Sequence, residues 1–274
     1  MKNAHIILFL ILKDIIGYVE EIAPINLKED FDNVGLIVGS DKSNIKNVLV
    51  ALDCTKKVIE EAKSINADLI LTHHPLIFRK INSVTDNTLL GAKIIELIKS
   101  DINVYSAHTN LDSAKGGIND IIAQILEYET CSIIDESTED KECGIGRFLK
   151  LKNENTLEDI INLFKSELDI KDLRYTGNLN DKVTKVAIIN GSGQDFFEIS
   201  RNLGAELIIT GDTTYHFTSD YTEMGIDIID LGHFNSEWPV FVKIVKELEK
   251  KIRHKNQDIK FYYSKVSKDP YNFI

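Results

Sequence analysis

The sequence predicts an α/β fold with two pseudo-equivalent lobes built on strand–helix–strand repeats, in which the sheets are mainly parallel. First, NVLVALDCTKKVIEEAKSINADLILTHH (47–74) aligns without a gap to KVAIINGSGQDFFEISRNLGAELIITGD (185–212). Second, each copy contains a continuous apolar run near its end, which is typical of a strand buried on both faces of a parallel sheet. Third, a His-x-x-x-acid string follows each copy after a connection of variable length.

Local sequence patterns predict the elements of the first half. Apolar residues at helical spacing indicate helices, and aliphatic or β-branched runs indicate strands. We expect a helix over 13–22, a turn into a short strand over 31–39, a strand over 48–52, a helix over 55–65, a strand over 68–72, a helix over 89–98, a strand over 103–107 and a helix over 118–125. The strands that flank the 55–65 helix form a βαβ unit, whose crossover is nearly always right-handed.

Residues 128–145 are polar and acidic, and we predict a connection or lobe boundary there. The predicted lobes are therefore 1–127 and 128–274. Thr156-Leu-Glu-Asp159 has the pattern of a capping box, with Asp in place of the usual Glu, and it predicts a helix to about Leu168. The second βαβ unit, its third strand and a closing helix are expected over 185–210, 226–230 and 240–252.

The composition indicates a soluble globular protein, since 43% of the 274 residues are hydrophobic and 27% are charged. A net charge of -11 argues against nucleic acid as a partner, because a phosphate backbone requires a basic surface. Cys54, Cys131 and Cys143 show no Cys-x-x-Cys spacing, so we expect a reducing, cytoplasmic location and no zinc finger.

Residues 1–12 end in the apolar run IILFLIL. The run is too short to span a bilayer as a helix, and no cleavage pattern follows it, so no membrane partner is expected. Two interpretations remain open, a helix or strand packed on the body or an upstream start codon.

Histidines follow the predicted strands, at the ends where ligands collect in α/β sheets. His73-His74-Pro75 ends a buried strand. Neighbouring strand residues point to opposite faces, so the two imidazoles converge only if the backbone bends, which Pro75 favours. The alternative is one core histidine and one surface histidine.

The string His108-Thr-Asn-Leu-Asp112 follows the next strand, and a His and an Asp at this spacing can share a site. Either residue can instead orient a ligand or cap a helix, and His108 is the better candidate for that role. Gly116-Gly117 permits a close backbone approach, although a double glycine is ordinarily only a turn.

The second half has its own candidates in His233 and Glu237, although His-x-x-x-Glu alone is common on exposed helices. Asp212 is another candidate because it aligns with His74 in the repeat. His216 is expected near the site rather than among the ligands.

Gly191-Ser192-Gly193 connects a strand to a helix, where backbone N–H groups can hold a phosphate. A plain tight turn explains the same residues, since no Lys-Ser/Thr and no full dinucleotide fingerprint accompany them. The sequence also has no Gly-x-Ser-x-Gly and no cysteine beside a histidine, so neither nucleophilic hydrolase pattern applies.

Together, imidazoles and carboxylates at several strand ends in matched halves predict one or two divalent ions such as zinc, iron or manganese. We expect this metal site in the cleft between the two lobes. A carboxylate can bridge two ions about 3.5–4 Å apart, which is the geometry of metal-assisted hydrolysis.

The sequence also resembles a known family, the dinuclear metal proteins called GTP cyclohydrolase 1 type 2 homologues or interacting-factor-three-like proteins. The matching strings are FDNVGLIVG (31–39), LTHHP (71–75), HTNLD with GGIND (108–120), GIGR (144–147), NGSG (190–193), ITGD (209–212) and GHFNSE (232–237). They follow in unbroken order, and the resemblance spans about residues 13–265. The family usually has Trp where this chain has Phe31, which we expect to change packing only.

The resemblance implies two divalent metal ions per chain, and its ligand positions correspond to His73, His74, Asp112, His233 and Glu237. It also implies a homohexamer. Longer members carry an extra domain between the halves, for which this chain has no room.

We therefore expect a metal-dependent hydrolase that acts on a small, nucleotide-like molecule, for example by opening the purine ring of a GTP-like substrate. A metal-bound water is the expected nucleophile, and His108 or His216 is the candidate proton shuttle. The rival hypothesis is a non-catalytic metal-binding adaptor that docks on protein partners. Since a carboxylate offers two oxygens and an imidazole one nitrogen, Asp112 and Glu237 are expected to bridge the ions.

Overall fold

The computed structural model describes residues 10–274, and the chain divides into two compact units. The first contains 10–110 and Val242–Lys268, and the second contains Leu111–Phe241 and Asp269–Ile274. The division after Asn110 lies earlier than the predicted boundary at 128, and the C-terminal part of the chain returns to the first unit. The prediction for the apolar N-terminus falls mostly on residues 1–9, which lie outside the described residues.

Both units contain strands and helices, in a mixed order along the chain. The strands are β1 Leu10–Ile11, β2 Gly35–Val38, β3 Asn44–Ile45, β4 Asn47–Ala51, β5 Leu69–Thr72, β6 Asn103–Ser106, β7 Tyr128–Glu136, β8 Gly144–Thr156, β9 Arg174–Tyr175, β10 Lys182–Ser192, β11 Leu207–Gly211, β12 Asp227–Asp230 and β13 Lys260–Tyr263. The helices are α1 Leu12–Glu20, α2 Lys56–Ser64, α3 Leu89–Lys99, α4 Thr109–Ser113, α5 Ile118–Ala123, α6 Leu157–Glu167, α7 Phe197–Asn202, α8 Tyr215–Glu223 and α9 His233–Lys255. The α/β fold class is therefore confirmed.

The first unit contains a five-stranded sheet with the order β13-β4-β5-β6-β2. Strands β13, β4, β5 and β6 are parallel, and β2 pairs antiparallel with β6. Its core joins apolar residues of these strands to α2 and α3, among them Leu49, Val58, Ile70 and Leu97. Because β4, β5 and β6 are parallel, their carboxyl ends meet at one edge of the sheet, where ligands collect in α/β proteins.

The second unit contains a six-stranded sheet with the order β7-β8-β10-β11-β12-β9. Strands β10, β11 and β12 are parallel, whereas β7, β8 and β9 join the sheet in antiparallel pairs. Its core includes Ala187, Ile208 and Ile228 from the parallel strands and Phe197 from α7. The parallel arrangement is therefore confined to the centre of this sheet.

The prediction of a connection over 128–145 was wrong, because this segment contains β7 and the start of β8. Strand β7 lies at the edge of its sheet and most of its residues are exposed, so its sequence lacks the apolar run of a buried strand. The closing helix also begins earlier than expected, since α9 starts at His233 and contains Pro239.

The expected capping box is confirmed at the start of α6. The Thr156 hydroxyl accepts a hydrogen bond from the Asp159 backbone N–H at 3.1 Å, and the Asp159 carboxylate accepts one from the Thr156 N–H at 3.1 Å. Over the described residues, no helix combines the length and apolar character needed to cross a membrane.

Candidate metal centre

Three histidines converge at the carboxyl edge of the first unit's sheet. His73 and His74 directly follow β5, and His108 follows β6. One ring nitrogen from each residue lies within 4.8 Å of the other two. His73 is fully buried, and the ring centroids of His73 and His74 are 5.1 Å apart. The backbone therefore bends after β5, which was one of the two alternatives left open by the sequence, and both imidazoles face one group.

Each of these imidazoles is held through its Nδ1 atom. The Nδ1 contacts are His73 to the Ala107 carbonyl oxygen at 2.7 Å, His74 to Asp53 Oδ1 at 2.9 Å and His108 to Asp32 Oδ2 at 3.0 Å. Because carbonyl and carboxylate oxygens only accept hydrogen bonds, Nδ1 of His73 and of His74 carries the proton, and the lone pair of each ring lies on Nε2. Metal-binding histidines are typically oriented by such a bond from the other ring nitrogen.

The carboxylate of Asp32 orients His108. Its side chain is fully buried, and it accepts hydrogen bonds from the Thr109 N–H at 3.1 Å and the Thr109 hydroxyl at 2.6 Å. Burial acts to raise the pKa of Asp32, but the hydrogen bonds from His108 and Thr109 outweigh it and lower the pKa to about 2. Asp32 is therefore charged at neutral pH and faces the Nδ1 atom of His108.

Two carboxylates converge in the second unit on the side chain of Asn190. Asp112 lies on α4, Glu237 lies in the first turn of α9, and both are buried. The Asn190 amide nitrogen donates to Asp112 Oδ1 at 2.9 Å and to Glu237 Oε1 at 3.3 Å. Two carboxylates that share one amide repel each other, and a divalent cation relieves that repulsion.

Asn190 is itself fixed by its neighbours. Its backbone N–H donates to the Asn119 side-chain oxygen at 3.0 Å, and the Asn119 amide donates to the Asp112 carbonyl oxygen at 3.1 Å. Gly191 follows with a φ of 59°, and a Cβ at that position would collide with Glu237 Oε1. The Asn-Gly pair of the NGSG string thus brings the backbone close to the Glu237 carboxylate.

His233 lies one helical turn before Glu237 on α9. Its Nε2 is 3.3 Å from Glu237 Oε2, and its Nδ1 donates to Asp212 Oδ2 at 3.3 Å. This histidine is therefore oriented by a carboxylate in the same way as His74 and His108. Asp212 adopts a left-handed conformation with a φ of 60°, directly after β11.

The position of Asp212 depends on the buried carboxylate of Asp230 at the end of β12. Asp230 accepts hydrogen bonds from the Asp212 N–H at 3.1 Å and the Thr213 N–H at 3.0 Å, and it forms an ion pair with Arg174. Burial acts to raise the pKa of Asp230, but the Thr213 hydrogen bonds, together with Gly232 and Arg174, lower it. Asp230 thus remains charged and holds the backbone beneath Asp212.

His216 lies apart from these groups in the second unit. It is exposed on α8, and its ring packs edge-on against Tyr215 at a centroid distance of 5.4 Å. Within the described residues it joins neither donor group, so its role as a proton shuttle remains a prediction.

The donor chemistry fits a divalent ion in both units. The first unit offers three imidazoles with oriented rings, and the second offers two carboxylates and one imidazole. Imidazole and carboxylate are the ligands that zinc, iron and manganese take in proteins.

Three residues that contact these groups were not among the candidates predicted from the sequence, namely Asp32, Asp53 and Asn190. Asp53 comes shortly after β4, so the rule that ligands collect at strand ends would have found it. Asp32 and Asn190 lie within strings already noted for the family resemblance. Their contacts with His108 and the two carboxylates depend on tertiary folding, and no local pattern indicates them.

These observations define a class of protein, an α/β fold whose parallel strands end in histidine and carboxylate groups suited to metal. Comparison with known proteins agrees with this class. The model of the Duf34/NIF3 (NGG1p interacting factor 3) family matches residues 10–270. The chain belongs to this family, as its sequence strings predicted.

One relative, the "GTP cyclohydrolase 1 type 2 homolog" of Clostridium perfringens, is 58% identical over 263 residues, which cover 96% of this chain and 99% of the relative. Among solved structures, a Bacillus cereus protein related to NIF3 matches with a TM-score of 0.87 at 25% identity, covering 97% of this chain and 100% of the other. A Staphylococcus aureus protein, SA1388, matches with a TM-score of 0.85 at 29% identity, covering 96% and 99%.

Proposed function

We propose that this protein is a dinuclear metal-dependent hydrolase that acts on a nucleotide-like substrate. The observation that supports it best is the orientation of four histidines through Nδ1, by hydrogen bonds to oxygen at His73, His74 and His233 and by the 3.0 Å contact with the Asp32 carboxylate at His108. A histidine that serves only packing does not need a carboxylate partner, whereas a metal ligand needs a fixed ring and a defined tautomer.

The proposed ligands are His73, His74, Asp112, His233 and Glu237, which hold two divalent ions of zinc, iron or manganese. The carboxylates of Asp112 and Glu237 are the proposed bridging ligands. Their convergence on Asn190 at 2.9 and 3.3 Å supports this role, because a bridging carboxylate must be held so that both ions reach it. The histidines each offer one nitrogen and bind single ions.

Divalent ions in such a centre act as Lewis acids and lower the pKa of water towards neutrality. His108 takes or gives a proton at Nε2, and the charged carboxylate of Asp32 stabilises the imidazolium from the Nδ1 side. His216 is the second candidate for proton transfer, from an exposed position on α8.

Relatives that carry the name "GTP cyclohydrolase 1 type 2 homolog" support a nucleotide as the substrate class. We propose a nucleotide as substrate, with opening of a purine ring as the reaction to be tested first. The chain has a net charge of -11, so cationic ions at the centre would also help an anionic substrate to approach.

Turnover of a nucleotide panel by metal-loaded protein tests the proposal, with GTP as the first substrate. Wild-type protein should convert GTP, and Asp112→Ala should lose at least about 100-fold in rate because a bridging ligand is removed. His108→Ala should retain its metal and lose activity. Absence of turnover on every nucleotide, combined with unchanged capture of protein partners by Asp112→Ala, would instead support a metal-binding adaptor.

We also propose that the chain assembles as a homohexamer, which rests on the family resemblance. Multi-angle light scattering at micromolar concentration should give about six times the mass of one chain. A monomeric mass under these conditions would contradict the assembly without affecting the metal proposal.

A further inference from the structure

Two exposed phenylalanines lie beside the histidines of the first unit. Phe31 is 66% exposed and Phe78 is 45% exposed, although both are large apolar side chains. Their ring centroids are 6.2 Å apart with an interplanar angle of 68°. Phe78 also lies 6.2 Å from the ring of His108. The pair therefore forms a continuous aromatic surface that extends from His108 into solvent.

The backbone that carries the two phenylalanines is connected to Asp32, the residue that orients His108. Phe31 directly precedes Asp32, whose carboxylate contacts the Nδ1 atom of His108 at 3.0 Å. The Asn33 amide donates a hydrogen bond to the Ile77 carbonyl oxygen at 2.5 Å and so joins the two segments that carry the rings. Both phenylalanines are thus placed by a hydrogen-bonded backbone, although their side chains contribute little to the core.

Two positive charges follow the aromatic pair along the chain. Arg79 and Lys80 come directly after Phe78, and both are exposed. In a protein with a net charge of -11, adjacent exposed cations beside an aromatic surface favour an anionic ligand that also carries a flat ring. A nucleotide combines these two features, because its base stacks on aromatic side chains and its phosphates pair with Arg and Lys.

We propose that Phe31 and Phe78 form a stacking platform for the base of a nucleotide substrate, and that Arg79 and Lys80 contact its phosphates. The inference rests on the proposed function, since it names how that substrate is held. A base stacked on Phe78 lies beside His108 and its partner Asp32. The platform therefore determines which ring reaches the histidine group, and the histidines do not have to recognise the base themselves.

Isothermal titration calorimetry with GTP and with inorganic triphosphate tests the platform, in both metal-loaded and metal-free protein. Base stacking contributes about 1–3 kcal/mol, so Phe78→Ala should weaken GTP binding by about 5-fold to 100-fold or more. The same variant should bind inorganic triphosphate within about twofold of wild type, because the phosphates do not contact the ring. Phe31→Ala should have a smaller effect in the same direction, and Phe78→Tyr should preserve GTP binding.

Arg79→Ala serves as the complementary variant and should weaken GTP and triphosphate binding alike. Phe273→Ala removes another exposed phenylalanine, which lies near the C-terminus and is 56% exposed. It is the control, and its affinities for GTP and for triphosphate should equal those of wild type. Metal content and thermal stability should be unchanged in Phe31→Ala and Phe78→Ala, since both rings are largely exposed.

Equal GTP affinity in Phe78→Ala and wild type, or no GTP binding by wild type, would overturn the platform. So would a loss of oligomeric mass in Phe78→Ala with GTP binding intact, since the rings would then be covered by a second copy of the chain. Phe78-dependent GTP binding without any turnover would leave the platform standing and reject the hydrolase. Turnover of GTP that does not depend on Phe78 would support the hydrolase and reject the platform.

Discussion

At the scale of single residues, the orientation of the histidines separates the donor group of each unit from an accidental cluster. Asp53, Asp32 and Asp212 each contact the Nδ1 atom of one histidine. An imidazole contacted in this way cannot rotate freely, and its tautomer is set before any ligand arrives. Much of the conformational cost of forming a metal site is therefore met when the chain folds.

Replacing Asn190 should lower the affinity for metal. Asn190→Ala removes the amide that donates to Asp112 and Glu237, so the carboxylates lose their common support. Loss of a residue that orients ligands typically lowers metal affinity by about 10-fold to 100-fold. Competition with a chromophoric chelator measures this affinity directly.

Asn202→Ala is the matched control, because the Asn202 amide also contacts a carboxylate, that of Glu198, on the exposed surface of α7. Its metal affinity should equal that of wild type. Equal affinity in Asn190→Ala and Asn202→Ala would show that Asn190 does not position the carboxylates.

At the scale of secondary structure, the sequence predicts the buried parallel strands of the repeat well but misses several strands towards the sheet edges, including β8. Strands β4, β5, β10 and β11 are buried and apolar, and the internal repeat identifies them together with the histidines that follow. Strand β7 was missed because its exposed residues are polar, and β13 was missed because its pairing with β4 joins distant parts of the chain.

The candidate site residues were also only partly visible in the sequence. Histidines and acids at strand ends form local strings, so His73, His74, His108 and Asp112 were named as candidates. Partners that reach a histidine from another element, such as Asp32, depend on tertiary contacts that no local pattern contains. The helix was predicted to start at 240, whereas α9 starts at His233 and continues through Pro239, a residue that usually marks a helix boundary.

Arg147 joins strand β8 to helix α5, and its removal should lower the stability of the protein. Arg147 is buried, forms an ion pair with Asp120 on α5, and donates to the carbonyl oxygens of Gly144 and Gly146 at 2.8 and 2.9 Å. Because Arg147→Ala leaves Asp120 without its partner, it should lower the free energy of unfolding by about 3–5 kcal/mol. Urea denaturation measures the change.

Arg201→Ala removes an exposed ion pair with Glu198 on α7 and is the control, since an exposed pair contributes little and the free energy of unfolding should stay near that of wild type. A loss below about 1 kcal/mol in Arg147→Ala would mean that β8 and α5 are held together mainly by apolar contacts.

At the scale of the whole molecule, acidic residues set how stability depends on pH. Burial and the nearby charge of Asp181 raise the pKa of Asp227 to about 6. A carboxyl whose pKa is higher in the folded state than in the unfolded state favours folding below its unfolded pKa. That contribution is lost as the pH rises through the folded pKa.

Asp227→Asn should therefore stabilise the protein at pH 8 by about 1 kcal/mol, after allowance for solvent screening, and have little effect at pH 4. Thermal or urea unfolding of both proteins across this pH range measures the difference. An equal effect at both pH values would indicate that packing around the side chain, rather than its charge, determines the change.

The central claim is that the chain binds two metal ions through bridging carboxylates, and elemental analysis of Glu237→Gln tests it most directly. Wild-type protein should contain about two divalent ions per chain, and Glu237→Gln, which keeps the shape of the side chain and removes its charge, about one or none. Glu247→Gln, on the exposed surface of the same helix α9, should retain both ions. Full metal loading in Glu237→Gln, or no bound metal in wild-type protein, would contradict the claim.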